Sequence, residues 1–301
     1  MKKIKLHVSY LSPVCADALA LVQNDKYELT FQDHLAANED ELAATIADAD
    51  AVYIGGDDFH SAAVLKRAKN LRLLSFGGTG YATFIDVAAA KELGIAIANT
   101  PGANSKSVAE FSVGLAIDAL RKITFANKTE NRPSGRELGA LKIGLIGYGK
   151  INRHIHKILR DGFGADVRFW NRSGAATPLD AVLSESDMIF LAITSNDETK
   201  NFIGADKIAK MKDKVILINP ARPDLVDEAA LIPAIESGKI SAYAVDDCPR
   251  PSLMKFGNDK VIATPHMAAS TSDAWNKTDM IAFQNMVDFF ETGVCKNIVI
   301  M

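Results

Sequence analysis

Short aliphatic runs alternate with helix-periodic stretches along almost the whole chain. Ile4–Ser9, Ala51–Ile54, Leu71–Phe76 and Ile95–Ala98 read as strands, and Asp86–Leu93 reads as a helix between the last two. Such alternation needs crossover connections, so it predicts parallel sheets covered by helices. From Ser105 to Arg121, Val108, Phe111, Leu115, Ala119 and Leu120 recur at helical spacing. Residues 127–139 are polar, contain Pro133 and Gly135, and read as the longest loop. A second α/β series follows. Its strands are Lys142–Ile146, Val167–Trp170, Met188–Ile193, Val215–Ile218, Ile240–Val245 and Val261–Ala263, with helices at Glu228–Glu236 and Ser272–Glu291. A chain of 301 residues is long enough for two domains, each with its own core.

Composition excludes several classes of function. The formal net charge of -3 offers no electrostatic case for nucleic acid or an anionic membrane. No segment has the roughly 20 continuous apolar residues that a membrane span requires. The apolar stretch near the N-terminus is too short and broken for a signal peptide, so a cytoplasmic protein is expected. Cys15, Cys248 and Cys295 are far apart and read as reduced thiols. No Cys/His cluster has metal-ligand spacing, so no metal is expected. His154 and His156, two apart on a helix, face different ways and do not chelate.

The strongest local motif is Leu145-Ile146-Gly147-Tyr148-Gly149-Lys150-Ile151-Asn152. It closes a strand and opens a helix, the context in which a glycine pattern implies a dinucleotide. Gly147 would make the tight turn and Gly149 would admit the pyrophosphate. The helix start at Lys150 and Ile151 would supply a positive dipole end. Asn152 stands where the usual third glycine would allow close helix packing, so the helix is expected slightly further out.

The next strand ends in Trp170-Asn171-Arg172-Ser173. An NAD-preferring site would carry an acid about 20 residues past the glycines, and this segment has none. Arg172 can pair with a 2′-phosphate, and Asn171 and Ser173 can hydrogen-bond to it. NADP is therefore preferred over NAD. The alternative is that Arg172 only stacks on an adenine.

Three further segments carry a resemblance. The first runs from Leu71 through Gly77-Gly78-Thr79-Gly80-Tyr81 to Asn99-Thr100-Pro101-Gly102 and Ser107-Val108-Ala109-Glu110. The others are Ile218-Asn219-Pro220-Ala221-Arg222 and Ala263-Thr264-Pro265-His266-Met267-Ala268. In this order, with the glycine turn between the first two, they resemble the D-isomer-specific 2-hydroxyacid dehydrogenases. The resemblance implies a Rossmann-type, doubly wound cofactor domain inserted in a flavodoxin-like substrate domain. The substrate domain would be residues 1–100 plus 271–301, and the cofactor domain 101–270. The active site would lie in the cleft between them. A homodimer through the cofactor domain is implied as well.

The same resemblance assigns roles. Arg222 matches the catalytic arginine, whose planar fork suits a keto acid's carboxylate and carbonyl oxygen. His266 matches the general acid, and imidazole suits proton transfer near neutrality. Gly78, Thr79 and Gly80 form the substrate loop, with the Thr79 and Gly80 amides on the carboxylate. Val108 would pack on the nicotinamide, Asp246 would lie near it, and Thr194 and Ala221 would complete the cofactor site. Taken singly, Arg222 could pair with a surface acid such as Asp224, His266 could be a hydrogen-bonded loop residue, and the glycine run could be only a loop.

The pattern also breaks in places. The family's Glu partner of the histidine falls here at Arg250 or Pro251, neither of which accepts a proton. Asp247 is the nearby acid, but strand alternation turns it away from the face of Asp246. A paired carboxylate keeps imidazole protonated, so reduction is expected to weaken above neutral pH. Pro223 replaces the glycine usual after the arginine. Asp57 and Asp58 stand where many members have a basic or neutral loop, which disfavours a phosphorylated or dicarboxylic substrate. Two functions remain open: an NADP(H)-dependent reductase of small 2-keto acids, and a low-turnover dinucleotide-binding sensor on the same fold.

Overall fold

A computed structural model describes residues 2–174, 177–248 and 250–301. It divides into two compact units. One joins the chain through Asn104 to Ser272–Met301, and the other is Ser105–Thr271.

The first unit contains β1 (Ile4–Ser9), β2 (Tyr27–Phe31), β3 (Ala51–Ile54), β4 (Leu73–Phe76) and β5 (Ala96–Ala98). The second contains β6 (Lys142–Ile146), β7 (Asp166–Trp170), β8 (Met188–Leu191), β9 (Val215–Asn219), β10 (Ile240–Val245) and β11 (Val261–Ala263). The chain then returns to the first unit for β12 (Ile298–Ile300), antiparallel to β5. The strand orders are β12-β5-β4-β3-β1-β2 and β11-β10-β9-β8-β6-β7. All other pairings are parallel. Order reverses at β1/β3 in one sheet and at β6/β8 in the other, which are the switch points where such sheets bind ligands.

Burial explains which strands are readable. β3, β4, β8 and β9 are buried at every residue, as expected of parallel strands covered on both faces. β2 and β12 went unpredicted. Both are edge strands with partly exposed residues, and Phe31 of β2 is 51% exposed.

Helix starts follow local chemistry. The side chains of Asn38, Ser61, Asp86 and Asp227 accept a backbone N–H one turn into their helices. Helix Ser105–Arg121 forms over the predicted span. The expected loop at 127–139 is corrected at its start: Ile123–Thr129 is helical and ends at Glu130 in the left-handed region, φ 59°. No residue of 123–129 is buried, so the apolar stripe that would betray a helix is missing.

Helix Ser272–Thr292 is bound into the first unit by buried polar contacts. Asp279 accepts the Tyr53 hydroxyl at 2.8 Å and the Cys15 N–H at 2.9 Å. Ser75 donates to the Ala282 carbonyl at 3.0 Å, and Asn285 donates to the Asn99 carbonyl at 3.0 Å. Among the described residues, no helix is long and apolar enough to cross a membrane, and no group of three or more His, Cys, Asp or Glu is placed to hold a metal ion. All three cysteines are unpaired.

Two histidines of the first unit are buried, His7 at 4% exposure and His60 at 0%. Burial pushes both imidazoles down from 6.5 to about 4. The unfolded chain binds protons at both sites between these values while the folded chain does not. Stability therefore falls as pH drops from about 6.5 toward 4, by about 3 kcal/mol per histidine at most. Denaturant midpoints across that window should show the fall. His60→Leu should remove roughly half of it, and an undiminished slope in the variant would contradict the assignment.

Candidate active site

Because β6 to β11 are all parallel, their carboxyl ends lie along one edge of the sheet. The glycine turn follows β6, Asn171-Arg172-Ser173 follows β7, and Thr194 follows β8. Ala221-Arg222 follows β9, Asp246 follows β10 and His266 follows β11. Every strand-end candidate of this unit is thus on one edge. Lys150 and Ile151 begin the helix after the turn. Val108 lies elsewhere, on helix Ser105–Arg121, which packs on β9 and β10, and its side chain is buried.

Gly147 has φ +85°, and a Cβ there would meet the Ala192 carbonyl oxygen at 2.5 Å. Both features require glycine. Gly149 is different. Its φ is -77°, and a Cβ would have nothing within 4 Å. No contact within the chain demands glycine there, which is what an approaching ligand backbone or phosphate would explain. Tyr148, between them, is clamped against Phe169 at 3.6 Å between ring centroids and meets His156 Nδ1 at 2.8 Å. The space of the missing third glycine is occupied by fully buried Asn152. Its Nδ2 donates to the Gly147 carbonyl at 2.6 Å and the Ile146 carbonyl at 3.1 Å, so the side chain pins the helix to the turn.

At the end of β7, Asn171 Oδ1 is buried with no hydrogen-bond partner among the described residues. Ser173 is exposed. The β7 end itself holds no acid, but Glu198 Oε2 accepts the Arg172 guanidinium at 2.9 Å. Glu198 comes from the loop after β8, 26 residues away, out of reach of any reading of the β7 end.

Arg222 is exposed, and its guanidinium donates to the Ala221 carbonyl at 2.7 Å. It forms no ion pair among the described residues. Asp224, the surface acid it could have paired with, accepts the Ser195 hydroxyl at 2.7 Å. The Arg222 loop is shaped by Asn219, a buried residue whose part was not anticipated. Its Oδ1 accepts the Ala221 N–H at 3.1 Å, and its Nδ2 donates to the Arg222 carbonyl at 2.7 Å. A polar residue closing the apolar run Val215–Ile218 was the available signal.

His266 is exposed and sits in the left-handed region at φ 54°. That backbone is costly for a residue with a Cβ and needs outside support. Asp246, 4% exposed, supplies it. The carboxylate accepts the Thr264 hydroxyl at 2.6 Å, the Met267 N–H at 2.9 Å and the Ala268 N–H at 2.8 Å. No carboxylate bonds the His266 imidazole among the described residues. Arg250, at the expected Glu position, donates to Glu228 at 3.0 Å, and Ser252 donates to the other oxygen of that carboxylate. These two contacts, the hydroxyl first, hold Glu228 below its ordinary pKa. Asp247 accepts the Cys248 N–H at 2.7 Å.

In the first unit, Gly77–Gly80 follows β4, and Asp57 and Asp58 follow β3, again at the carboxyl edge. The Gly78 amide donates to the Phe76 carbonyl at 2.9 Å. The amides of exposed Thr79 and Gly80 have no acceptor among the described residues. Asp57 accepts the Leu11 N–H at 3.1 Å, and Asp58 accepts Gln32 Nε2 at 2.6 Å.

Residues 113–268 match the family described as D-isomer specific 2-hydroxyacid dehydrogenase, NAD binding domain. The chain is 32% identical to a hydroxypyruvate reductase of Thermotoga maritima, over 98% of this chain and 100% of that one. It is 30% identical to a D-3-phosphoglycerate dehydrogenase of Archaeoglobus fulgidus, over 94% of this chain but only 57% of the longer relative. The fold matches an NAD+-bound 3-phosphoglycerate dehydrogenase of Entamoeba histolytica with a TM-score of 0.86, covering 100% of this chain and 99% of that one at 23% identity.

Replacing Asp246 by Asn sets an NH2 group against one of the donors it now accepts. Asp246→Asn should cost about 3 kcal/mol in denaturant unfolding. A loss below about 1 kcal/mol, the size of an ordinary substitution, would mean that the loop does not depend on the carboxylate.

Proposed function

This chain belongs to the D-isomer specific 2-hydroxyacid dehydrogenase family, and from that premise we propose that it reduces small 2-keto acids carrying one negative charge to D-2-hydroxy acids, with NADPH preferred. It is an oxidoreductase that uses a nicotinamide dinucleotide. The reading is carried by one observation: a guanidinium with no carboxylate partner among the described residues and an exposed imidazole stand on the loops after β9 and β11, with Asp246 after the strand between them.

The cofactor, when bound, supplies the hydride. Open Gly149, left-handed Gly147 and the helix start at Lys150 and Ile151 fit its pyrophosphate. Asn171, Arg172 and Ser173 fit the ribose end, and Thr194, Ala221, Val108 and Asp246 are assigned to the remainder of the site. Arg222 holds the keto acid and polarises its carbonyl oxygen, where negative charge grows during reduction. His266 delivers a proton to that oxygen as the carbon receives the hydride, which balances the conversion of ketone to alcohol. The Thr79 and Gly80 amides are assigned to the substrate carboxylate. Asp57 and Asp58 disfavour a second anionic group. Three unpaired cysteines suit a reducing compartment such as the cytoplasm. The resemblance supports a homodimer.

Oxidation of NADPH with glyoxylate, pyruvate, hydroxypyruvate and branched keto acids tests the reading. His266→Ala should lower kcat by about 10²-fold or more. Arg222→Gln should lower kcat/KM by a similar factor. Cofactor binding without turnover across the panel, and no effect of His266→Ala, would favour a sensor instead.

A further inference from the structure

We propose that Glu198 lowers NADPH affinity by competing with the cofactor's 2′-phosphate for Arg172. The inference rests on the reading of Arg172 as the phosphate partner and adds the residue that opposes it.

Strand order makes the case. β6, which carries the glycine turn, lies between β7 and β8. Arg172 follows β7 and Glu198 follows β8, so their ion pair at 2.9 Å links the two loops that flank the turn. This is the switch point, where a dinucleotide enters such a sheet. The Glu198 carboxylate thus holds the guanidinium that the phosphate would need.

Glu198 is presented on an ordered segment. Its N–H donates to Asn196 Oδ1 at 3.0 Å. Buried Thr199 locks the same loop: its hydroxyl donates to the Thr194 carbonyl at 2.7 Å, and it receives the Asn196 N–H at 2.9 Å. Ser195 ties the segment to Asp224 beyond β9. The acid is therefore held near Arg172 by its backbone, while the two side chains are 71% and 72% exposed.

Exposure sets the size of the effect. An ion pair this open is worth no more than about five-fold in an equilibrium. A phosphate carrying nearly two charges, with geometry matched to a guanidinium, displaces the carboxylate. The pair therefore reduces NADPH affinity without abolishing it. NADH presents only a hydroxyl at that carbon and does not compete for the guanidinium.

Fluorescence titrations of the full chain with NADPH and with NADH test this in Glu198→Gln, Arg172→Gln and the double variant, with thermal melts to confirm folding. Glu198→Gln should tighten NADPH about three- to five-fold and leave NADH within about two-fold. That gain should vanish in the Arg172→Gln background, and Glu198→Asp should fall between Gln and wild type. If Arg172→Gln weakens NADPH but Glu198→Gln does not tighten it, or tightens both cofactors alike, the competition is refuted and the phosphate assignment stands. If Arg172→Gln leaves NADPH binding unchanged, the phosphate assignment itself falls.

Discussion

A single buried carboxylate organises the loop that carries the candidate proton donor. Asp246 accepts one hydroxyl and two backbone amides from Thr264, Met267 and Ala268, and between these His266 is turned into the left-handed region. Left-handed backbone costs a residue with a Cβ roughly 1–2 kcal/mol. Each hydrogen bond to an ionised acceptor contributes about 1.5–3 kcal/mol, so three of them offset the strain comfortably. The imidazole is held at the end of β11 by its backbone alone, with no carboxylate bonded to its ring among the described residues.

The same division of labour recurs along the sheet edge. Asn219 brackets the Arg222 turn with one acceptor and one donor, and Asn152 pins the helix to the glycine turn. Each is a buried side chain whose amide nitrogen donates to backbone carbonyls, and Asn152 Oδ1 has no partner among the described residues. Such bonds fix loop geometry in a low-dielectric setting and leave the exposed Arg222 and His266 side chains available to a ligand. The parallel sheet supplies the other half of the design, because it delivers every one of these loops to one edge.

What could be read from the sequence follows from whether the cause is local. Gly147 was legible because its turn chemistry is local, and Ser105–Arg121 because its apolar stripe repeats within the helix. Central strands such as β3 and β9 were legible as unbroken apolar runs. Edge strands β2 and β12, with partly exposed residues, were not. The proposed site residues lie at the strand ends in the expected order, and their contacts were not legible. Asp246 meets partners 18 to 22 residues away, and Arg172 meets Glu198 at a separation of 26, distances at which only folding decides the neighbour.

A buried acid, and not a partner on the imidazole, holds the His266 loop in shape. Amide hydrogen exchange at Met267 and Ala268 reads those two bonds directly, with the unbonded amides of Thr79 and Gly80 as references in the same molecule. Exchange at least about a hundred-fold slower than at the references is the predicted result. Rates equal to the references would mean that the carboxylate does not anchor the loop, and the account would fail with it.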